Sequence, residues 1–546
     1  MTFAMWQHNY TPIHGSLLLS SLVAALPIFV LLFLLGVRRT PAWIAAISGL
    51  GTTALVSLFL YGMPIERIVS AAAFGAAYGW FPIGWIVIWA VYLYRLTLDT
   101  GKFETIKHSL RSLTRDPRLQ TLLIAFAFGA FLEGAAGFGT PVAVAAAMLA
   151  GLGFSPFHAA AICLLANTAP VAFGSIAIPI VTLAGITGLP LMRLSAGVGR
   201  ICAPVSLIVP AYLVVVMGGW GALSRVFPAA LLCGVTFAGL QFAISNFVGP
   251  QLTDLIASLC AMGVLVALFM VWKPKDFEKY ELSAAAKSAE TSEHSTGQVF
   301  LAWSPYFLLV VCVLLWGWQP MLKPLNSVSI PIQWPGLHNL IARVPPVTAK
   351  VSPYPAIFNL NWLSASGTSC MIACILSCFV LRIPPLQALR IFLSTMRQLT
   401  FSLITLGCVL GLAYLMNYSG ATGTLGLAFA ATGASFPFFS AILGWLGVFL
   451  TGSDTSANAL FGNLQVVTAS KLGFNPVLMA SANSAGGVMG KMISLSSIAV
   501  AAAATNMPSD EEAKLFRFTL KHSAFLACVI GLITLFYTYV APGLQP

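Results

Sequence analysis

The sequence predicts an all-α polytopic membrane protein built from two inverted-topology repeats, each with a re-entrant helical hairpin and a broken helix. Three observations predict this fold class. Of the 546 residues, 58% are hydrophobic and 8% are charged, whereas a soluble domain carries about 25% charged residues. Apolar runs recur along the whole chain, and its two halves share short matching segments. The composition excludes a soluble enzyme, a nucleic-acid-binding protein and a disordered chain.

Apolar runs of membrane-spanning length divide the chain. A spanning helix needs about 20 apolar residues, and about 12 runs reach that length. These runs are 15–36, 41–62, 68–94, 159–184, 194–217, 226–247, 254–272, 299–318, 361–381, 398–417, 476–504 and 518–541. The amphipathic segment 101–118 is expected to lie along the membrane surface, and the Pro-rich segment 319–360 is expected to form a structured cap.

Two further apolar stretches, about 119–150 and 438–470, are interrupted by glycine and polar residues at 133–139 (EGAAGFG) and 451–456 (TGSDTS). Each half of these stretches is expected to be too short to cross the membrane comfortably. Non-helical backbone at membrane depth is tolerated only where protein or water surrounds it. We therefore predict a re-entrant hairpin in each stretch.

The basic residues set the predicted orientation. The net charge is +12, with 27 Lys and Arg, and cytoplasmic loops of membrane proteins carry an excess of these residues. With the N-terminus outside and neither hairpin crossing, most of them fall in cytoplasmic loops, and both termini are periplasmic. The predicted domains are a first transmembrane repeat at 1–272, a cytoplasmic linker at 273–298 and a second transmembrane repeat at 299–546.

Short segments of the two halves match in the same order at a nearly constant spacing. The matches pair 63–64 with 383–384, 101 with 420, 131–134 with 449–452, 152–156 with 472–476, 166–169 with 482–485, and 174 with 490. An odd number of predicted crossings separates the two copies, so the second copy is inverted. Inverted repeats are typical of secondary transporters, whose substrate binds near the bilayer midplane at the repeat interface.

Each repeat also contains a predicted helix break, at 167–170 (NTAP) and 483–487 (NSAGG). A broken helix exposes backbone N–H groups that attract a carboxylate, although Asn167 and Asn483 equally suit a bridging role between helices. The predicted substrate-binding residues are Asn167, Thr168, Ala169, Asn483, Ser484, Gly486, Gly487, Lys491, Ser453 and Thr455.

Four ionisable residues are predicted within the membrane, where such groups are costly and usually functional. Burial of a carboxyl group favours its neutral form, so Glu133 and Asp454 are expected to couple transport to protons. Lys491 is expected to contact a carboxylate or to pair with Asp454. Arg200 is expected to form an ion pair or to extend to the membrane surface. No catalytic residue, cofactor or metal site is predicted.

At these residues the chain resembles the bacterial L-lactate permease family along its whole length. The motifs that carry the resemblance are 129–143 (GAFLEGAAGFGTPVA), 166–174 (ANTAPVAFG), 444–461 (GWLGVFLTGSDTSANALF), 482–494 (ANSAGGVMGKMIS) and 516–523 (FRFTLKHS). The resemblance implies proton-coupled uptake of L-lactate, with D-lactate and glycolate as further substrates, across the bacterial inner membrane. It also implies an elevator-like motion.

Two alternatives stay open from the residues alone. The first is a sodium-coupled dicarboxylate transporter, with sodium bound by carbonyl groups at the hairpin tips. The second is a membrane-embedded respiratory or enzymatic subunit, which the small number of intramembrane ionisable residues disfavours. The expected partners are a small 2-hydroxymonocarboxylate, a proton and membrane lipid, with a homodimer as an open question and no nucleic acid.

Overall fold

Long helices account for most of the chain in the computed structural model, which describes residues 5–137, 139–275 and 295–546. Most of the predicted linker 273–298 lies outside the described residues, as does residue 138 in the first hairpin. The first-half α-helices are Leu17–Ala24, Leu26–Gly36, Ala42–Phe59, Ile65–Tyr78, Trp85–Asp99, Lys102–Arg111, Pro117–Gln120, Gly129–Ala135, Thr140–Gly151, Pro156–Ala166, Gly174–Thr187, Leu191–Phe247 and Thr253–Val271.

The second half repeats this helical character. Its α-helices are Thr296–Gly317, Gln319–Asn326, Ser366–Val380, Pro385–Ser419, Ala421–Phe429, Phe436–Thr451, Asp454–Leu472, Pro476–Gly490, Leu495–Thr505 and Ser509–Leu535. Wider π-helical turns occur at Gly79–Gly84, Thr121–Phe128 and Phe536–Val540, and 3-10 turns at Val171–Phe173, Pro250–Leu252, Ala430–Ser435, Lys491–Ile493 and Pro542–Leu544.

The protein is a multi-pass membrane protein. Among the described residues, ten helices are long and apolar enough to cross a membrane, or up to 12 if each of two bent helix pairs forms one span. The longest, Leu191–Phe247, reverses at Gly219 (φ 73°), and across the reversal Ser195 Oγ donates to the Ser245 carbonyl at 2.7 Å. It therefore folds as two antiparallel helices, matching the separate runs predicted at 194–217 and 226–247.

Both predicted hairpins are present as helix–turn–helix elements. The first runs from 117 to 151 and turns at two glycines with positive φ, Gly137 and Gly139. The second consists of Phe436–Thr451 and Asp454–Leu472 and turns at Gly452 (φ 71°). The expectation of short arms was wrong for Pro117–Ala135, which has 19 residues and is long enough to span. That arm is wholly buried by the rest of the protein, so it does not face lipid.

The helix bends differ from the predicted breaks. In the first half, Pro156–Ala166 and Val171–Thr187 meet at 65°, next to the predicted break at 167–170. In the second half, Pro476–Gly490 continues without interruption through 483–487, and a bend of 42° follows at Lys491–Ile493. The predicted position of the second break was therefore wrong. Gly486 and Gly487 serve close packing instead, because a Cβ atom there would overlap the Ala441 carbonyl and the Asp454 carboxylate.

The segment 319–360 folds into a cap that also includes residues 5–10, so the fold is not purely α-helical. The five short strands are Trp6–Gln7, Ile330–Gln333, Ile341–Arg343, Ser352–Pro353 and Ile357–Leu360. Ile341–Arg343 is the central strand of a three-stranded sheet, parallel to Trp6–Gln7 and antiparallel to Ser352–Pro353. The other two strands form an antiparallel pair in which Ile330 lies opposite Leu360. The cap thereby joins the N-terminus to the second half.

Candidate functional site

The two hairpin tips and the two helix bends converge on one cavity of about 210 Å³, here called the central cavity. Each hairpin turn ends at its wall, and the residues that follow each bend complete it. Its polar lining residues are Glu133, Ser175, Ser453, Asp454, Thr455, Lys491, Ser496 and Ser497, and its apolar wall includes Val171, Ile178, Pro179 and Val500. The irregular backbone of the two hairpin tips and the two bends thus lies in a place that protein surrounds.

Lys491 supplies the positive charge of the central cavity. It opens the 3-10 turn at the second bend, and its Nζ donates to the Gly452 carbonyl at 2.5 Å. That carbonyl caps the C-terminus of helix Phe436–Thr451, where the helix dipole favours a cation. No carboxylate oxygen of the described residues lies within 4.0 Å of Nζ, although Glu133 and Asp454 both act on it electrostatically. The ammonium group is therefore near two acids but bonded to neither.

Asp454 lies across the cavity at the first position of its helix. Ser453 is the N-cap, its Oγ accepting from the Ser456 amide at 3.3 Å, so the carboxylate benefits from the positive end of the helix dipole. Oδ2 accepts from Ser484 Oγ at 2.6 Å and from Asn458 Nδ2 at 3.2 Å. Oδ1 is buried and has no hydrogen-bond partner in the described part of the chain.

Glu133 lies at the first hairpin tip, where it packs on the first bend. A Cβ atom at Gly174 would be 2.6 Å from Glu133 Oε1, so a larger residue there would displace this carboxyl group. The Asn167 side chain lies beside it. Behind Glu133 is a third intramembrane acid, Asp254, which packs against Gly134 and is 1% exposed.

The amino-acid sequence matches a known family. The profile described as L-lactate permease matches residues 20–541. The chain is 44% identical to the L-lactate permease of Bacillus subtilis (strain 168), covering 99% of this chain and 100% of that protein. The chain belongs to the L-lactate permease family. It is also 44% identical to glycolate permease GlcA of Escherichia coli (strain K12), over 99% of each chain.

Membership of the permease family confirms the resemblance seen in the motifs and makes this protein a transporter rather than an enzyme. Among solved structures, Neisseria gonorrhoeae MtrF is similar at 14% identity and a TM-score of 0.45, covering 89% of this chain and 85% of that chain. A likeness this weak carries no argument about mechanism.

The permease brings part of the predicted substrate-binding set to the central cavity. Lys491, Ser453 and Thr455 line it, together with the two predicted proton-coupling acids. The predicted residues whose side chains are not part of the wall are Asn167, Thr168, Ala169, Asn483, Ser484, Gly486 and Gly487.

The residues around the second predicted break support Asp454 instead of forming the wall. Asn483 Nδ2 donates to Asn458 Oδ1 at 2.9 Å, and Gln465 Nε2 donates to Asn483 Oδ1 at 3.1 Å. Asn458 in turn donates to Ser484 Oγ at 3.1 Å and to the Pro179 carbonyl at 3.2 Å. This buried amide network holds Oδ2 of Asp454 in place.

Two other predicted groups lie elsewhere. In the first half, Thr168 Oγ1 donates to the Leu165 carbonyl at 2.7 Å, which keeps that hydroxyl within its own turn. Arg200 Nε donates to Asn246 Oδ1 and Nη1 to the Leu544 carbonyl, both at 2.8 Å. No acid of the described residues pairs with Arg200, so the expected ion pair is replaced by contacts with an amide and the C-terminal backbone.

Sequence reasoning missed a left-handed turn beside the cavity. Ser175, Ile176 and Ala177 have φ values of 47°, 58° and 60°, which cost non-glycine residues about 1–2 kcal/mol each. The turn aims Ser175 Oγ at the Ala136 carbonyl, to which it donates at 2.9 Å. It thereby ties the first bend to the first hairpin tip. Strained backbone of this kind concentrates at functional sites.

Proposed function

We propose that this permease is a secondary active transporter that takes up L-lactate, and also D-lactate and glycolate, by proton symport across the bacterial inner membrane. The relatives named L-lactate permease and glycolate permease support the substrate class. These three substrates share a carboxylate and a hydroxyl on the adjacent carbon. A single site with donors for both groups therefore suits all of them.

One observation carries the proposal: Lys491, which has no carboxylate oxygen within 4.0 Å in the described part of the chain, faces a small cavity lined by serine hydroxyls. A carboxylate beside Lys491 would form a charge-assisted hydrogen bond, which is about twice as strong as a neutral one. Ser175 and Ser496 lie in the same wall and offer hydroxyl donors and acceptors for the substrate hydroxyl. Backbone N–H groups at the N-terminus of helix Leu495–Thr505 add a positive dipole.

Proton coupling follows from the charges around the same cavity. An anion that binds between Glu133 and Asp454 is repelled while both are ionised, so protonation of either acid favours anion binding. By linkage, anion binding then favours protonation equally. Asp254 extends this set of acids away from the cavity, since both its carboxylate oxygens lack partners in the described structure and Glu133 acts on it electrostatically. We infer that a proton passes among these acids as the substrate crosses.

Matched backbone features support the inverted repeat at 1–272 and 299–546. Gly101 and Gly420, which the matching segments pair, each lie directly before a helix and have positive φ values of 72° and 89°. Gly153 and Gly473 are likewise paired and have φ of 98° and 75°. A repeat of this kind supports alternating access through an elevator-like movement of the hairpins around a bound substrate.

The orientation with both termini in the periplasm is part of the proposal. The N-terminal strand Trp6–Gln7 pairs within the cap, and Lys471 at the end of the second hairpin lines a pocket with Tyr10. The last residue, Pro546, accepts through its carbonyl from Asn475 Nδ2 at 3.3 Å, four residues beyond Lys471. These contacts support placing both termini on the side of the cap.

Uptake in proteoliposomes tests the proposal. Radiolabelled L-lactate should accumulate when an inward proton gradient is imposed without sodium, and unlabelled glycolate should compete. Accumulation that requires a sodium gradient and is inhibited by succinate but not by glycolate would contradict it and favour the dicarboxylate alternative.

A further inference from the structure

A second, larger cavity lies under the cap. Its volume is about 510 Å³, and it is here called the cap cavity. Five tyrosines line it, namely Tyr10, Tyr78, Tyr354, Tyr414 and Tyr418. Among the described residues no Asp or Glu lines it. A cavity with many hydroxyl groups and no carboxylate is suited to an anion rather than a cation.

Arg343 provides the fixed positive charge of the cap cavity. It ends the central cap strand, and its guanidinium carbon lies 4.7 Å from the centre of the Tyr354 ring. No carboxylate of the described residues lies within 4.0 Å of it, and its buried Nε has no hydrogen-bond partner there. Stacking on Tyr354 holds the planar donor group in place, which suits recognition of a carboxylate.

Asn417 gives a second unused donor to the cap cavity. This residue is 5% exposed. Its Oδ1 accepts from Asn463 Nδ2 at 2.9 Å, which orients the amide, while its buried Nδ2 has no partner in the described structure. A buried amide N–H without a partner is costly unless a ligand accepts from it.

The other ionisable cap residues in this wall stay neutral. Burial lowers the pKa of His8 from 6.5 to about 4, and its ring bonds to the Tyr418 carbonyl at 2.9 Å and to Tyr10 Oη at 3.1 Å. Burial also raises the pKa of Tyr10 to about 12. Arg343 is therefore the charge that selects the ligand.

The same two helices connect the cap cavity with the central cavity. Helix Gly174–Thr187 contributes Ile178 to the central cavity and Gly185 to the cap cavity, and helix Asp454–Leu472 contributes Thr455 and Asn463 in the same way. Seven or eight helical residues rise roughly 10–12 Å. Between the cavities the helices touch, because a Cβ atom at Gly462 would be 2.6 Å from Leu183 Cδ1. The cavities thus lie in series with a closed contact between them.

We propose that the cap cavity is a second binding site for a small monocarboxylate, held by Arg343 and Asn417, from which the anion passes to the central cavity. This inference rests on the proposed function and adds a site to it. Arg343 attracts and orients the carboxylate, the Asn417 amide donates to it, and the tyrosines surround the rest of the ligand. Movement of helix Asp454–Leu472 away from Leu183 then opens the way inward.

Equilibrium binding of radiolabelled L-lactate to the full-length protein in detergent tests the site. The wild type should bind two lactates per chain, and Lys491→Met, in which the central cavity binds more weakly, should keep one lactate at the wild-type affinity. In the Lys491→Met background, Arg343→Gln and Asn417→Ala should each weaken the remaining site, Arg343→Gln by about 10-fold to 100-fold. Lys350→Gln, which removes an exposed cap charge outside the cavity, is the matched control and should leave binding unchanged.

Uptake separates failure of this site from failure of the proposed function. If the wild type transports lactate but binds one per chain, and Arg343→Gln leaves the KM for uptake unchanged, the cap site is refuted and the proposed function stands. If the wild type neither binds nor transports lactate, the proposed function itself fails. Should Arg343→Gln not fold, Asn417→Ala decides alone, since unchanged affinity in that variant refutes the site.

Discussion

The substitution Lys491→Met tests the electrostatic basis of substrate binding. Methionine keeps the length of the side chain but removes the charge that lies 2.5 Å from the Gly452 carbonyl. Two unit charges 4 Å apart attract by about 4 kcal/mol at an effective dielectric constant of 20. Desolvation reduces this, so a charge-assisted hydrogen bond contributes about 1.5–3 kcal/mol net. L-lactate should therefore bind to the central cavity about 10-fold to 150-fold more weakly.

The assay is L-lactate counterflow in proteoliposomes, with affinity read from the half-saturating concentration and folding from the Tm in detergent. Lys514→Met, which removes an exposed charge from helix Ser509–Leu535, is the matched control and should retain wild-type affinity. A Lys491→Met protein with a lowered Tm but unchanged counterflow affinity would refute the reasoning. Lys491 would then only hold the second hairpin tip.

Three further predictions concern the acid, the packing and the cap. Asp454→Asn should abolish lactate accumulation driven by a proton gradient while sparing counterflow; retained accumulation would exclude Asp454 as the coupling acid. Gly444→Ala should lower the free energy of unfolding by about 1–3 kcal/mol, because its Cβ would overlap the Asn483 carbonyl. Gly239→Ala is the control, since a Cβ there meets no atom within 4 Å. Equal Tm values for the two variants would contradict the prediction. Folding lowers the pKa of His8 from 6.5 to about 4, so the free energy of unfolding should fall by about 2 kcal/mol between pH 7 and 4.5. His8→Gln should remove this loss. Identical profiles of Tm against pH for the wild type and the variant would refute the prediction.

Hydropathy and local interruptions were enough to predict most of the spans, both hairpins and three charged residues of the central cavity. The predicted run 361–381 is the exception, because its helix Ser366–Val380 has 15 residues and is too short to be a candidate span. A charged residue within an apolar run is costly in a membrane and usually has a functional role. Glu133, Asp454 and Lys491 could therefore be identified from the sequence. Glycines at the predicted hairpin tips also indicated tight turns, and Gly137 and Gly452 have positive φ in the structure.

Other features depend on contacts between distant segments. Gly486 and Gly487 read locally as a helix break, but packing against Ala441 and Asp454 determines their role. Asp254 begins an apolar run, so in the sequence it resembles a flanking residue at the membrane surface. Only the structure shows that it packs against Gly134 of the first hairpin. The cap cavity gathers side chains from the cap, which includes the N-terminal residues, and from five helices. Such a combination has no local sequence pattern.

A cryo-electron microscopy structure with L-lactate bound tests the central claim most directly. We predict density for the substrate in the central cavity, with its carboxylate at Lys491 and both hairpin tips around it. Lactate bound elsewhere while this cavity is empty, or hairpin tips that do not meet, would contradict the account.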